Sequence, residues 1–198
     1  MGGVLLVVRD VGRGIELTHR DGALVVRFVR PEIRNPLSIG ILEDLDQIID
    51  DLAPEVQRLI FTGAGNVFAS GADLREIGKV ASEEARDFAL RGQTLMGRIA
   101  GLDQQTVAAI NGYCFGGALD LALACDRRIA TPTATFAHPG AGLGIITGWG
   151  GSQRLPRLVG TANALEMFFT AAPVDATRAL QIGLVDSIND DPLTAALA

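Results

Sequence analysis

The residues best equipped for chemistry fall in three glycine-rich segments. They are Asn66-Val-Phe-Ala-Ser-Gly-Ala-Asp-Leu74, Asn111-Gly-Tyr-Cys-Phe-Gly-Gly-Ala-Leu-Asp-Leu-Ala122 and the run from Phe136 to Leu155, which begins Phe136-Ala-His-Pro-Gly140 and ends Gly150-Gly-Ser-Gln-Arg-Leu155. Glycines at a strand-to-helix turn let a ligand touch the main chain and leave the first N–H groups of the helix free to donate. Two such N–H groups converging on one oxygen form an oxyanion hole, where each donor contributes about 3–4 kcal/mol as negative charge develops.

A few side chains in these segments add acid–base capacity. Asp120 stands in an apolar run, Leu119-Asp-Leu-Ala-Leu123. A lone acid there is costly to bury, so it either serves a site or pairs with Arg127 or Arg128. His138 either presents a donor or base to a bound group or is an ordinary packed histidine. Thr147 offers a hydroxyl, and Trp149 either walls a pocket or simply packs. Asp73 is placed to cap a helix, Glu83-Glu84 reads as a solvated helix start, and His19 as structural. Cys114 and Cys125 sit among apolar neighbours and read as buried free thiols, with no zinc spacing between them.

The elements that position these groups read as alternating strands and helices. Ile15–Arg20 and Ala23–Val29 flank Asp21-Gly22, a strong hairpin signal. Ser38 caps a helix with apolar residues at helical spacing from Ile41 to Leu52, stopped by Pro54. Strands are expected at Arg58–Thr62, Thr106–Ile110, Arg127–Ala130, Ala134–Phe136 and Val185–Ile188. Helices are expected at Ser82–Ala100, with Ser82 as a capping signal, and at Gly116–Ala124, Ser152–Val159, Thr161–Thr170 and Asp175–Ile182. The repeating strand, glycine loop and helix specify an α/β fold with parallel strands. The 198 residues, 48% of them hydrophobic, suit one domain with a real core, and the net charge of −6 argues against a nucleic-acid binder. Val4–Val8 is too short for a signal sequence, and no stretch approaches the roughly 18–20 apolar residues of a membrane span, so a cytoplasmic protein is expected.

These segments resemble the crotonase superfamily, the enoyl-CoA hydratases and isomerases. The resemblance covers about residues 15–189. It rests on Arg30-Pro-Glu-Ile-Arg-Asn-Pro-Leu37, Phe68-Ala-Ser-Gly-Ala-Asp-Leu74, Asn111-Gly-Tyr with Gly116-Gly117, Gly150-Gly-Ser-Gln-Arg-Leu155 and Ala179-Leu-Gln-Ile-Gly-Leu-Val185, in that order. It implies a spiral of ββα units over residues 15–198, after a leader at residues 1–14, with the family's C-terminal helical part short or missing. It also implies a homo-oligomer, trimer or hexamer, and an acyl-CoA substrate with no separate cofactor and no metal. The oxyanion donors fall at Ala72 and Gly117. Ala69, Ser70, Asp73 and Leu74 fall along the CoA channel, Arg34 at the CoA phosphates and Leu37 at the pocket wall. Further substrate contacts fall at Tyr113, Gly116, Pro139, Gly140, Leu143 and Thr147.

Two departures from the family pattern bear on the reaction. Hydratases of the family carry two glutamates that hold and activate water, and the matching positions here are Asp120 and Gly140. Two-carboxylate hydration is therefore disfavoured, and a Gly140→Glu change is expected to restore it. Decarboxylation is favoured, since departing CO2 leaves its electrons behind and no base is needed to form the enolate. The alternative is a non-catalytic acyl-CoA-binding protein.

Overall fold

The computed structural model describes residues 8–198. It opens with β1 (Val8–Gly12), β2 (Ile15–Arg20) and β3 (Ala23–Phe28), all antiparallel. Asp21 and Gly22 take positive φ of 50° and 72°, the pairing of a type I′ turn, which matches the twist of a hairpin. The leader expected over residues 1–14 thus runs into a strand, since Val8–Gly12 pairs with β2. The rest of the Val4–Val8 run lies outside the described residues.

Next come β4 (Pro36–Leu37) and α1 (Ile39–Asp50). Ser38 caps α1 as expected, its hydroxyl accepting from the Ile41 N–H at 3.3 Å. The α1 face formed by Ile41, Leu42, Leu45, Ile48 and Ile49 is buried. β5 (Arg58–Gly63), β6 (Val67–Ala69), β7 (Gly71–Ala72) and the single turn α2 (Leu74–Ile77) follow. α3 spans Ala85–Ala100, not Ser82–Ala100, because Ser82–Glu84 winds as a tighter 3-10 turn. Glu84, rather than Ser82, stands at its N-cap position, and the Glu84 carboxylate turns back to accept from the Ala81 N–H at 3.3 Å, which closes the 3-10 turn.

The chain then repeats a long strand, a short strand and a helix. β8 (Gln105–Ile110), β9 (Tyr113–Phe115) and α4 (Gly117–Ala124) make one unit. β10 (Arg127–Ala130), β11 (Thr135–Ala137) and α5 (Gly140–Leu143) make the next. The remaining elements are α6 (Gly151–Val159), α7 (Thr161–Thr170), β12 (Val174–Asp175), α8 (Ala176–Gln181), β13 (Ser187–Ile188) and α9 (Pro192–Leu197).

The long strands form a seven-stranded sheet in the order β1-β2-β3-β5-β8-β10-β13, and the short ones a four-stranded sheet β12-β11-β9-β6. Every pairing from β3 to β13 in the large sheet is parallel, as are β6·β9 and β9·β11. Each unit lays one strand in each sheet before its helix, the expected spiral of ββα units. Alternation along β3 divides the interior, as a period of two requires. Leu24, Val26 and Phe28 face the main core with α1, whereas Ala23 and Val25 face a smaller cluster closed by Ala196 and Leu197 of α9. Phe28 meets Phe68 edge to face at 6.0 Å and ties the two sheets together.

Candidate active site

The site is organised by the start of α4. Gly116 takes φ 55°, and Gly117 begins the helix with an N–H that has no carbonyl a turn earlier to receive it. β7 presses directly on this point. A Cβ on Gly71, whose φ is 89°, would stand 2.6 Å from the Gly117 nitrogen, and one on Gly117 would stand 3.3 Å from the Ala72 nitrogen. Only glycine tolerates both the conformation and the approach at position 71. The Ala72 and Gly117 nitrogens consequently lie side by side.

They border a cavity of about 420 Å³, within the usual range for a small-molecule site. Of the residues expected from the sequence, Ser70, Ala72, Leu74, Gly116, Gly117, Asp120, Pro139, Gly140, Leu143 and Thr147 line it. Five do not. Leu37 and Ala69 are buried in the main core instead. Asp73 caps α2, accepting from the Arg75 N–H at 2.9 Å and pairing with its guanidinium at 2.7 Å. Tyr113 is 45% exposed, on the face of β9 opposite buried Cys114. Arg34 is exposed, in the left-handed region at φ 65° after the 3-10 turn Pro31–Ile33.

Asp120 projects from the first turn of α4 and is 1% exposed. The pairing with Arg127 or Arg128 does not form. Arg128 donates instead to Asp186 at 3.2 Å and to the carbonyls of Leu184 and Cys125, and Arg127 is exposed. Asp120 Oδ2 accepts a short hydrogen bond from the Thr147 hydroxyl and one from the Trp149 N–H at 3.3 Å. Burial pushes its carboxyl up to about 6, against the pull of Thr147, the Trp149 N–H, the Arg154 charge and the Gly151 N–H. A carboxyl poised there can act as acid or base near neutral pH.

His138 is 3% exposed, and its Nε2 lies 3.6 Å from Asp120 Oδ1. Its ring packs on Phe168 at 5.2 Å. Burial lowers it to about 4, so it is a neutral imidazole. Gly140 offers no place for a side chain: a Cβ would lie 2.3 Å from the Ile145 carbonyl oxygen. Trp149 is both wall and packing. It borders the cavity, and its indole fills the space that Cβ atoms on Gly92 and Gly117 would need, at 2.1 Å and 2.3 Å.

Phe88, Phe168 and Phe169 reach the cavity from α3 and α7 without any motif that marks them in the sequence. No periodicity marks a residue that faces a cavity rather than a core. Cys114 and Cys125 are buried with thiols pushed upward, Cys125 to about 12, and neither is a nucleophile. Among the described residues, no His, Cys, Asp and Glu gather into a metal-binding group.

A model of the enoyl-CoA hydratase/isomerase family matches residues 18–193. A short-chain-enoyl-CoA hydratase of Clostridium acetobutylicum is 40% identical over 176 residues, covering 87% of this chain and 67% of the relative. A crotonyl-CoA hydratase of Syntrophomonas wolfei is 38% identical, covering 87% and 68%. Among solved structures, Pseudomonas aeruginosa DspI superposes with a TM-score of 0.89 at 34% identity, over 96% of this chain and 79% of its own. An enoyl-CoA hydratase from Thermoplasma volcanium gives a TM-score of 0.86 at 32% identity, over 91% and 73%. The chain therefore spans about two thirds of the length of these curated relatives. With the family pattern running through both sheets and the glycine turns of the cavity, the chain belongs to the enoyl-CoA hydratase/isomerase family of the crotonase superfamily.

Proposed function

We propose that the cavity takes the acyl part of an acyl-CoA thioester, with the N–H groups of Ala72 and Gly117 donating to the thioester oxygen as it becomes an enolate. The observation that carries this reading is the forced adjacency of those two nitrogens at the edge of an apolar cavity holding one carboxylate. Losing one donor of this kind typically costs about 10²–10³-fold in turnover.

Within that chemistry, decarboxylation of a malonyl-type thioester fits better than two-carboxylate hydration. Asp120 is the only carboxylate among the described lining residues, and position 140 is closed to a second. The bond between the α-carbon and the carboxylate breaks, its electron pair moves toward the thioester oxygen, and CO2 departs. Asp120 in its acid form then gives a proton to the α-carbon and is reprotonated from solvent. No cationic side chain is among the described lining residues, so a substrate carboxylate has no ion pair to lose.

Arg34 is assigned to the CoA phosphates, where an exposed guanidinium can follow a flexible ligand. A homo-oligomer, trimer or hexamer, is assigned on the family pattern. Ile146 and Phe169, 75% and 76% exposed at the cavity rim, supply apolar surface for assembly. No helix among the described residues is long and apolar enough to cross a membrane, and a cytoplasmic location is part of the same reading.

The test is turnover of enoyl-, malonyl-type and 3-hydroxyacyl-CoA thioesters, with products identified by mass spectrometry. Loss of CO2 from a malonyl-type thioester is expected. Saturable binding of the thioesters with no product from any of them would instead establish a non-catalytic acyl-CoA-binding protein.

A further inference from the structure

Two buried acid–base groups face each other beside Gly151. Among the described residues, no side chain donates to Asp120 Oδ1, and none bonds either ring nitrogen of His138. The Oδ1 to Nε2 separation is 3.6 Å, just beyond a hydrogen bond. The other carboxylate oxygen is already held by Thr147 and Trp149. A glycine keeps the space between the pair open, since a Cβ on Gly151 would lie 2.1 Å from Asp120 Oδ1 and 3.0 Å from His138 Nε2. Unpaired polar atoms in a fold's interior are rare and call for a functional explanation.

We infer that His138 is the positioning residue for Asp120: it carries its proton on Nε2, donates to Oδ1, and with Asp120 forms one proton-sharing unit at the cavity wall. The inference rests on the acyl-CoA reading only for what the unit acts upon. With Thr147 and Trp149 on one oxygen and His138 on the other, the carboxyl plane is fixed. The site then has a histidine-buffered acid where the family pattern has a second glutamate.

The imidazole suits this role because burial keeps it neutral, leaving a single N–H to place. A donor on Oδ1 favours the charged carboxylate, so His138 holds the Asp120 carboxyl lower than burial alone would set it. Among the described residues, the Gly151 N–H also favours the carboxylate. Arg154 on α6 favours the carboxylate, and the Cys114 thiol on β9 is itself pushed upward and stays neutral. Phe168 covers the remaining ring face.

The test combines nitrogen-15 NMR of the histidine rings in the free protein with the pH dependence of thioester turnover. The chain has only two histidines, so His19→Gln assigns the spectrum. His138 is expected to carry its proton on Nε2 at neutral pH, and Asp120→Asn to shift that tautomer balance. In turnover, His138→Phe should move the inflection assigned to Asp120 upward by about one pH unit, a tenfold change in proton affinity. His138→Gln, which keeps an N–H, should restore most of that shift. A proton on Nδ1 that ignores Asp120→Asn, or an inflection that stays put in His138→Phe, overturns the inference and leaves His138 as packing. The NMR arm needs no substrate, so failure of the acyl-CoA reading is distinguishable from failure of the pair.

Discussion

Asp120 on α4 anchors the main chain at Trp149, just ahead of α6. Its Oδ2 accepts from the Trp149 N–H at 3.3 Å, one residue before Gly150, from which α6 starts. The same carboxylate that faces the cavity thus also fixes the loop carrying Thr147 and Trp149.

The two roles separate by substitution. Asp120→Asn keeps an acceptor for the Trp149 N–H and should cost under about 1 kcal/mol. Asp120→Ala leaves that donor and the Thr147 hydroxyl unpaired and should cost about 1–3 kcal/mol. Both should lose acid function alike. Chemical denaturation with parallel assays checks this, and equal stability losses in the two variants would rule out the anchoring role.

The pair also leaves a signature in stability against pH. Asp120 is raised in the fold from 3.8 to about 6, so its contribution is present below 3.8 and is lost as pH rises through 6. His138 is lowered from 6.5 to about 4, so its contribution is present above 6.5 and is lost as pH falls through 4. Each amounts to roughly 3 kcal/mol at about 1.4 kcal/mol per pH unit, and the two slopes oppose one another. Between about pH 4 and 6 they should nearly cancel. Asp120→Asn should then gain stability with rising pH across that window, and His138→Gln should lose it. Denaturation midpoints measured from pH 4 to 7 read this, and parallel curves for all three proteins would contradict it.

Trp149 is the only tryptophan, and its indole occupies the Cβ space of Gly92 on α3 and Gly117 on α4. Gly92→Ala should displace it, costing about 1–3 kcal/mol as an overpacked core site does. Its fluorescence emission should move toward that of an exposed indole. Unchanged emission and an unchanged melting temperature would show that the contact relaxes freely.

Gly140→Glu is a case where the structure reverses an expectation from sequence. The added side chain meets the Ile145 carbonyl, a backbone atom that cannot step aside without moving the segment. The variant should lose about 1–3 kcal/mol and gain no hydration of a 2-enoyl-CoA, as followed by loss of the enoyl absorbance. A hydration rate raised tenfold or more would show that the segment yields and that the carboxylate alone was missing.

Much of this was legible in the chain, and what was not has identifiable causes. The Asp21-Gly22 hairpin and the Ser38-capped α1 are local signals, and the structure keeps them. The glycines at 71, 116 and 117 announced a main-chain site because their geometry is also local. Strands such as β4, β7 and β9 span two or three residues, too few for alternation to register. Tyr113 was placed at the substrate by resemblance, yet the alternation of β9 turns it outward. The meeting of Asp120 with His138 joins α4 to the end of β11, and no spacing rule links them. The clamp on Trp149 likewise joins α3, α4 and the loop before α6.

The most direct measurement concerns the thioester carbonyl itself. Butyryl-CoA labelled with carbon-13 at that carbon, bound to the protein, reports its stretching frequency by difference infrared spectroscopy. A carbonyl moved from water into an apolar cavity without donors stretches at higher frequency, whereas two aimed N–H groups pull it lower by polarising the bond. A shift to lower frequency than the free ligand in water is the expected result for oxygen held by Ala72 and Gly117. A shift to higher frequency would contradict the oxyanion hole and the enolate chemistry built on it.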